Sequence, residues 1–141
     1  MSRTEGQIGT IVAERRLQRL DFPRRTVVVS LGCPRRRMGS QDWECPFRIR
    51  GSGVRRIEYG YGVDAFQALT MALEGIRYFL DQCGIPLAWR GVLEDHKGFQ
   101  RVIPLLPEPG GTSRLERIVD KEARLRLERL KRRRQSGRRR T

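Results

Sequence analysis

Residues 43–83, WECPFRIRGSGVRRIEYGYGVDAFQALTMALEGIRYFLDQC, change their hydrophobic period once, and that change decides the fold. In the first part Trp43, Cys45, Phe47 and Ile49 alternate with Glu44, Pro46, Arg48 and Arg50, the period of two expected of a half-buried strand. Gly51-Ser52-Gly53 supplies a turn that tolerates positive φ. Beyond it Ile57, Tyr59, Tyr61 and Val63 alternate with Arg56, Glu58, Gly60 and Gly62, so the two stretches predict an antiparallel hairpin. At Asp64 the period becomes that of a helix. Asp64 stands in N-cap position with Gln67 placed for a capping box. Leu69, Ala72, Leu73, Ile76, Leu80 and Cys83 fall on one face, and Gln67, Thr70, Glu74, Arg77 and Asp81 on the other. Gly84 and Pro86 then end the helix. Its apolar face and a hairpin face made of Trp43, Phe47, Ile49, Tyr59 and Tyr61 are complementary, which predicts a helix laid on an antiparallel sheet.

Upstream, residues 11–20 (IVAERRLQRL) and Thr26 to Leu31 (TVVVSL) read as two further strands, separated by Asp21-Phe22-Pro23. Downstream, residues 87–92 (LAWRGV) and 98–106 (GFQRVIPLL) each allow a short strand or extended edge, with Pro104 unsuited to a central strand. The expected fold class is therefore α+β: a small antiparallel sheet of about four strands packed by one main helix, followed by a basic C-terminal helix. Residues 1–106 form the domain, 107–112 (PEPGGT) a linker, and 113–141 a helical arm with a frayed arginine-rich end. Within the arm Ser113 and Glu116 form a second capping-box pattern. Leu115, Val119, Ala123, Leu127 and Leu130 make a narrow stripe flanked by Ile118 and Leu125.

Charge is distributed unevenly. Of a formal net charge of +14, residues 113–141 carry 13 Lys+Arg against 4 Asp+Glu, whereas residues 1–112 carry 17 against 12. Only Lys97, Lys121 and Lys131 among the 30 basic residues are lysines, a bias that a GC-rich genome also produces, so position carries more meaning than pI. Arg132, Arg133 and Arg134, with Arg138, Arg139 and Arg140, form runs suited to displacing counterions from phosphates. In the hairpin Arg48, Arg50 and Arg56 share the polar face, with Arg35, Arg36 and Arg37 in the loop before it, and Glu44 and Glu58 are placed to pair with them across the strands. By parity Trp43, Phe47, Tyr59 and Tyr61 belong to the buried face, so the sheet is not expected to be a base-stacking platform.

Catalytic and metal chemistry find little support. Cys33, Cys45, Cys83 and His96 are separated by 12, 38 and 13 residues, without the close ligand pairs of structural zinc, so neither metal nor cofactor is expected. Cys33 is the one candidate nucleophile, with no activating group nearby in sequence. No phosphate loop, nucleophile elbow or paired-carboxylate motif is present, and the chain is not expected to be an enzyme. Gly60-x-Gly62-Val63-Asp64 before a helix resembles an anion cradle but belongs to a hairpin strand, where glycines more simply admit a neighbouring backbone. No segment reaches the roughly 18 apolar residues a membrane helix needs, and no signal sequence is seen, so a cytoplasmic location is expected.

Asp42-Trp43, Cys45-Pro46-Phe47, Ile49, Gly51, Gly60, Gly62-Val63-Asp64, Gln67-Ala68-Leu69 and Ala72-Leu73 together resemble the pattern of an uncharacterised family of small bacterial proteins. That resemblance covers the hairpin and helix. It implies a shared α+β domain and a bacterial source, and nothing catalytic. Taken together, the residues point to a non-enzymatic binding module whose basic arm contacts nucleic acid or an acidic protein surface. The alternative is a protein–protein interaction factor of immunity or accessory type with no nucleic-acid role. The leucine stripe of the arm leaves both self-association and docking onto its own domain open.

Overall fold

The computed structural model describes residues 8–138. Arg139 and Arg140, the last two candidate contacts in the arm, lie outside the described residues. The elements in order are β1 (Ile11–Arg19), β2 (Thr26–Gly32), β3 (Arg35–Arg36), β4 (Trp43–Gly51), β5 (Val54–Gly62), α1 (Ala65–Gln82), β6 (Leu87–Ala88) and α2 (Gly111–Arg138). The chain divides into two compact units, one up to Arg101 and one from Val102 onward.

The first unit is α+β. Its sheet has six strands rather than about four, because β3 and β6 are two residues each, too short to show any period in sequence. Every pairing is antiparallel: β6 with β1, β1 with β2, β2 and β3 with one edge of β4, and β5 with the other edge. The β4–β5 hairpin turns at Ser52 and Gly53, both at positive φ (52° and 81°), the geometry of a type I′ turn. Residues 98–106 form no strand, and from 87–92 only Leu87–Ala88 is retained as one. The segment after β6 is instead pinned by Arg15. Its guanidinium donates to Gly98 O at 2.7 Å and lies 3.7 Å from the centroid of the Trp89 ring, with Phe99 next to it.

α1 starts as its sequence dictates. The Asp64 carboxylate accepts from Gln67 N at 2.8 Å, and the Gln67 side chain takes the Val63 N–H at 2.8 Å. The buried stripe of α1 is Ala68, Ala72, Ile76 and Leu80, turned slightly from the expected face, with Leu69 and Cys83 at its margin and Leu73 exposed. These residues close over Cys45, Phe47 and Ile49 of β4, Val27, Val29 and Leu31 of β2, and Leu17 of β1. Alternating strand residues and a helix stripe of period near 3.6 thus meet in one core, as the hydrophobic pattern requires.

β5 is the departure. Trp43, Cys45, Phe47 and Ile49 pair across the hairpin with Gly62, Gly60, Glu58 and Arg56, and directly opposed residues share a sheet face. The glycines of β5 therefore face α1, and Ile57, Tyr59 and Tyr61 face away from it, the reverse of the parity expected from hydrophobicity. The physical reason is space: a Cβ at Gly60 would overlap the backbone of Ala72 and Ala68, and one at Gly62 would meet Ala68 and Gln67. At these two positions the helix comes too close to β5 for any side chain to fit between them. This also identifies the role of the two glycines as close packing, not an anion cradle.

In the second unit α2 runs for 28 residues without one buried residue. It begins before Ser113: Gly111 N donates to Glu108 O, and Arg114 N to Gly110 O. The expected capping box at Ser113 and Glu116 is therefore already inside the helix. Thr112 serves the preceding turn instead, its hydroxyl accepting from Leu106 N at 2.8 Å.

Candidate nucleic-acid interface

The strand register places the candidate arginines of the first unit. On the sheet face opposite α1, β1, β2, β4 and β5 align Arg16, Val28, Arg50 and Arg55 in one lateral row. The next row is Glu14, Ser30, Arg48 and Ile57. Further along the same face come Gly32 and Pro46 with Tyr59, then Arg35 and Glu44 with Tyr61. Arg16, Arg50 and Arg55 are exposed. Tyr61 is 43% exposed and its ring stacks on Tyr59 with centroids 6.2 Å apart and planes 20° from parallel. Arg37 lies over the Tyr61 ring at 5.2 Å.

Of the candidates read from sequence, Arg35, Arg37, Arg48 and Arg50 are thus gathered on one face. Arg36 is directed differently: it pairs opposite Trp43, lies 5.7 Å from that ring, and bonds the Gln41 side chain. Arg56, expected beside Arg48 and Arg50, is on the α1 side, 4.0 Å from the Phe79 ring and bonded along its own strand to Glu58 at 3.1 Å. Arg16, Arg55, Tyr59 and Tyr61 joined the face without being predicted to belong to it. The signal that could have found them is the row of glycines in β5, which marks the helix-contacting side.

The carboxylates of this face are engaged. Glu14 accepts from the Ser30 hydroxyl at 3.0 Å, and Glu44, nearly buried, holds Arg35 at 3.0 Å. Among the described residues the buried Nε of Arg48 has no hydrogen-bond acceptor. One corner is covered: the Ile8 carbonyl sits against Gly32, where Pro46 also packs, and Ile8 itself is buried. The Arg16–Arg50–Arg55 row and Tyr61 remain on the surface.

Arg132, Arg133, Arg134 and Arg138 are exposed on α2. At 100° per residue, Lys131 to Arg134 already distribute positive charge around the whole helix. Upstream, Arg126 and Glu122 form an ion pair at 2.7 Å that holds the Glu122 carboxyl below its usual range. After Glu128 the chain has no acid: residues 129–141 contain eight Lys+Arg. The Ile118, Val119, Leu127 and Leu130 side chains are about half exposed.

The thiols and the histidine do not gather, and among the described residues no group of three or more His, Cys, Asp or Glu side chains is placed to hold a metal ion. Cys33 is exposed at the end of β2, with its N–H on Thr10 O. Cys45 is buried, and burial pushes its thiol up to about 11. His96 belongs to a shallow cavity of about 190 Å³ with Arg77, Asp81, Asp95 and Lys97, and Cys33 does not line it. The His96 Nδ1 accepts from Gly98 N at 2.8 Å. No helix among the described residues is long and apolar enough to cross a membrane.

Residues 13–99, the sheet with α1 and the Arg15-pinned segment, match a family described as a domain of unknown function (DUF6968). The chain belongs to the DUF6968 family. The DUF6968 match begins within β1 and stops at Phe99, so α2 lies wholly beyond it. Neither the curated proteins nor the solved structures contain a match to the chain.

Proposed function

We propose that this DUF6968 protein is a non-enzymatic nucleic-acid-binding module in which α2 supplies most of the affinity. The observation that carries the proposal is the end of α2: an exposed helix with cations on all sides, no acid after Glu128 and no apolar residue after Leu130. Protein interfaces rely on apolar and aromatic anchors seated in pockets, with charge at the rim. A cationic surface without apolar anchors suits a ligand that is itself a continuous line of charge, and a phosphate backbone is such a ligand. Affinity of this kind is independent of sequence and falls steeply with salt.

Replacing Arg132, Arg133, Arg134 and Arg138 by Gln in the full chain tests this. Duplex binding should weaken at low salt and lose part of its salt dependence, in proportion to the four cations removed. Duplex affinity unchanged by the substitutions would refute the proposal.

A second reading rests on the half-exposed Ile118, Val119, Leu127 and Leu130. A protein partner or a second copy of α2 covering that stripe would make the chain an interaction factor, and the stripe spans too few heptads to specify which. Measuring mass in solution at several concentrations, with Leu127→Ser as comparison, separates the two: a concentration-dependent dimer that disappears in the variant supports self-association through α2.

A further inference from the structure

The sheet face opposite α1 has the composition of a ligand surface in its own right. We infer that it is a second site, separate in the sequence from α2, and that it takes single-stranded nucleic acid. The inference deepens the nucleic-acid reading and rests on it.

Three observations converge on the occupant. The first is charge: Arg16, Arg50 and Arg55 stand in one row across β1, β4 and β5, about 15 Å from end to end at the usual strand spacing. Arg50 and Arg55 are directly opposite one another, a like-charge pair that destabilises a sheet unless an anion is shared between them. The second is the balance of the face: Glu44 is spent on Arg35, and Glu14, which keeps its charge while accepting from Ser30, is one carboxylate beside Arg16, Arg48, Arg50 and Arg55. The third is aromatic: Tyr59 and Tyr61 stack on each other on this same face, with the Arg37 guanidinium 5.2 Å from the Tyr61 ring centroid.

Phosphates would engage the arginine row while an unpaired base stacks on Tyr61, taking the place of Arg37 or lying against it. A duplex keeps its bases within the helix and offers no free face to Tyr61, so the aromatic pair selects single strands. An acidic protein would use the arginines and gain nothing from that selection. The apolar alternation of β5 hid the site, because the tyrosines look like core until Gly60 and Gly62 are seen to occupy the core side.

The test uses full-length protein in which all eight Lys and Arg residues of 129–141 are Gln, so that the arginine-rich end of the arm is silenced. Its probes are fluorescent U12, dT12 and a 12-base-pair duplex, with poly-glutamate as competitor. The expected result is retained binding of U12 or dT12 in preference to the duplex. Tyr61→Ala should weaken the single strands by roughly tenfold, the effect of removing one stacked base, and separately Arg50→Gln with Arg55→Gln should weaken them by roughly tenfold at low salt through lost phosphate contacts. All these side chains are exposed, and thermal unfolding checks that the variants fold. Single-strand affinity unchanged by both sets of substitutions overturns the inference, as does poly-glutamate competing as well as U12. Either result leaves the arm proposal standing, which fails on its own criterion of unchanged duplex binding after the arm substitutions.

Discussion

Gly60 on β5 and Ala72 on α1 meet backbone to backbone, leaving no room for a single methyl group between strand and helix. This close approach sets the height of α1 above the hairpin and decides which way β5 faces. It also turns Tyr59 and Tyr61 to the sheet face away from α1, the face that carries Arg16, Arg50 and Arg55.

Gly60→Ala is accordingly expected to destabilise the first unit by about 3 kcal/mol, since the obstructing atoms are backbone and cannot rotate aside. Gly137→Ala in α2, where nothing lies within 4 Å, should be neutral or slightly stabilising. Urea unfolding of both variants checks the contrast. Equal stability of the two would contradict the packing described for Gly60.

Arg15 is the hinge pin of the segment after β6. Burial lowers its pKa below the ordinary value, yet it remains a cation clamped between Gly98 O and the Trp89 and Phe99 rings. Arg15→Met keeps much of the apolar stem and removes the hydrogen bond and the cation–ring interaction, an expected cost of about 2 kcal/mol. Hydrogen exchange should accelerate over residues 87–99 and much less in β4. Uniform acceleration throughout the sheet would show instead that Arg15 supports the whole core.

Cys45 makes the pH dependence specific. Its thiol is raised from an ordinary value of 9.0 to about 11 by burial, with Cys33 adding a smaller effect in the same direction. Because the neutral thiol is the form favoured in the folded state, its contribution is complete below pH 9 and is lost as pH rises toward 11. Stability of the native chain should fall across that window more than in Cys45→Ala. At about pH 8, below the ordinary thiol range, iodoacetamide should modify the exposed Cys33 well before Cys45, which reacts only on unfolding. Equal rates in the folded protein would contradict the burial of Cys45.

Asp64 closes the first turn of α1 through Gln67 N, and Asp64→Ala should cost about 1 kcal/mol in thermal unfolding, with Asp64→Asn nearly neutral. An Asp64→Ala chain as stable as the native one would mean that tertiary packing alone sets the start of α1.

The hairpin and α1 were legible because each carries its own periodicity, β2 because it is β-branched and nearly continuously apolar, and β1 was read as a strand without a clean period. β3 and β6 were not, since two residues have no period. The facing of β5 was misread for a more instructive reason: alternation reveals two faces and says nothing about which one a helix covers. Hydrophobicity favoured the tyrosine side, and backbone proximity favoured the glycine side. Cross-strand register, with Cys45 opposite Gly60 and Phe47 opposite Glu58, settled the matter. The same misreading separated Arg48 and Arg50 from Tyr61 and wrongly joined Arg56 to them. In α2, the Ser113 cap failed because Gly110 and Glu108 carbonyls had already begun the helix.

The central claim is that the end of α2 binds a phosphate backbone. Its most direct test is the slope of log affinity for a generic DNA duplex against log salt concentration, for the native chain and for the chain with Arg132, Arg133, Arg134 and Arg138 replaced by Gln. Each phosphate that is no longer neutralised should remove about 0.9 from the slope, so a reduction of about 3 to 4 is predicted. Identical slopes, or no duplex binding by the native chain at low salt, would contradict it.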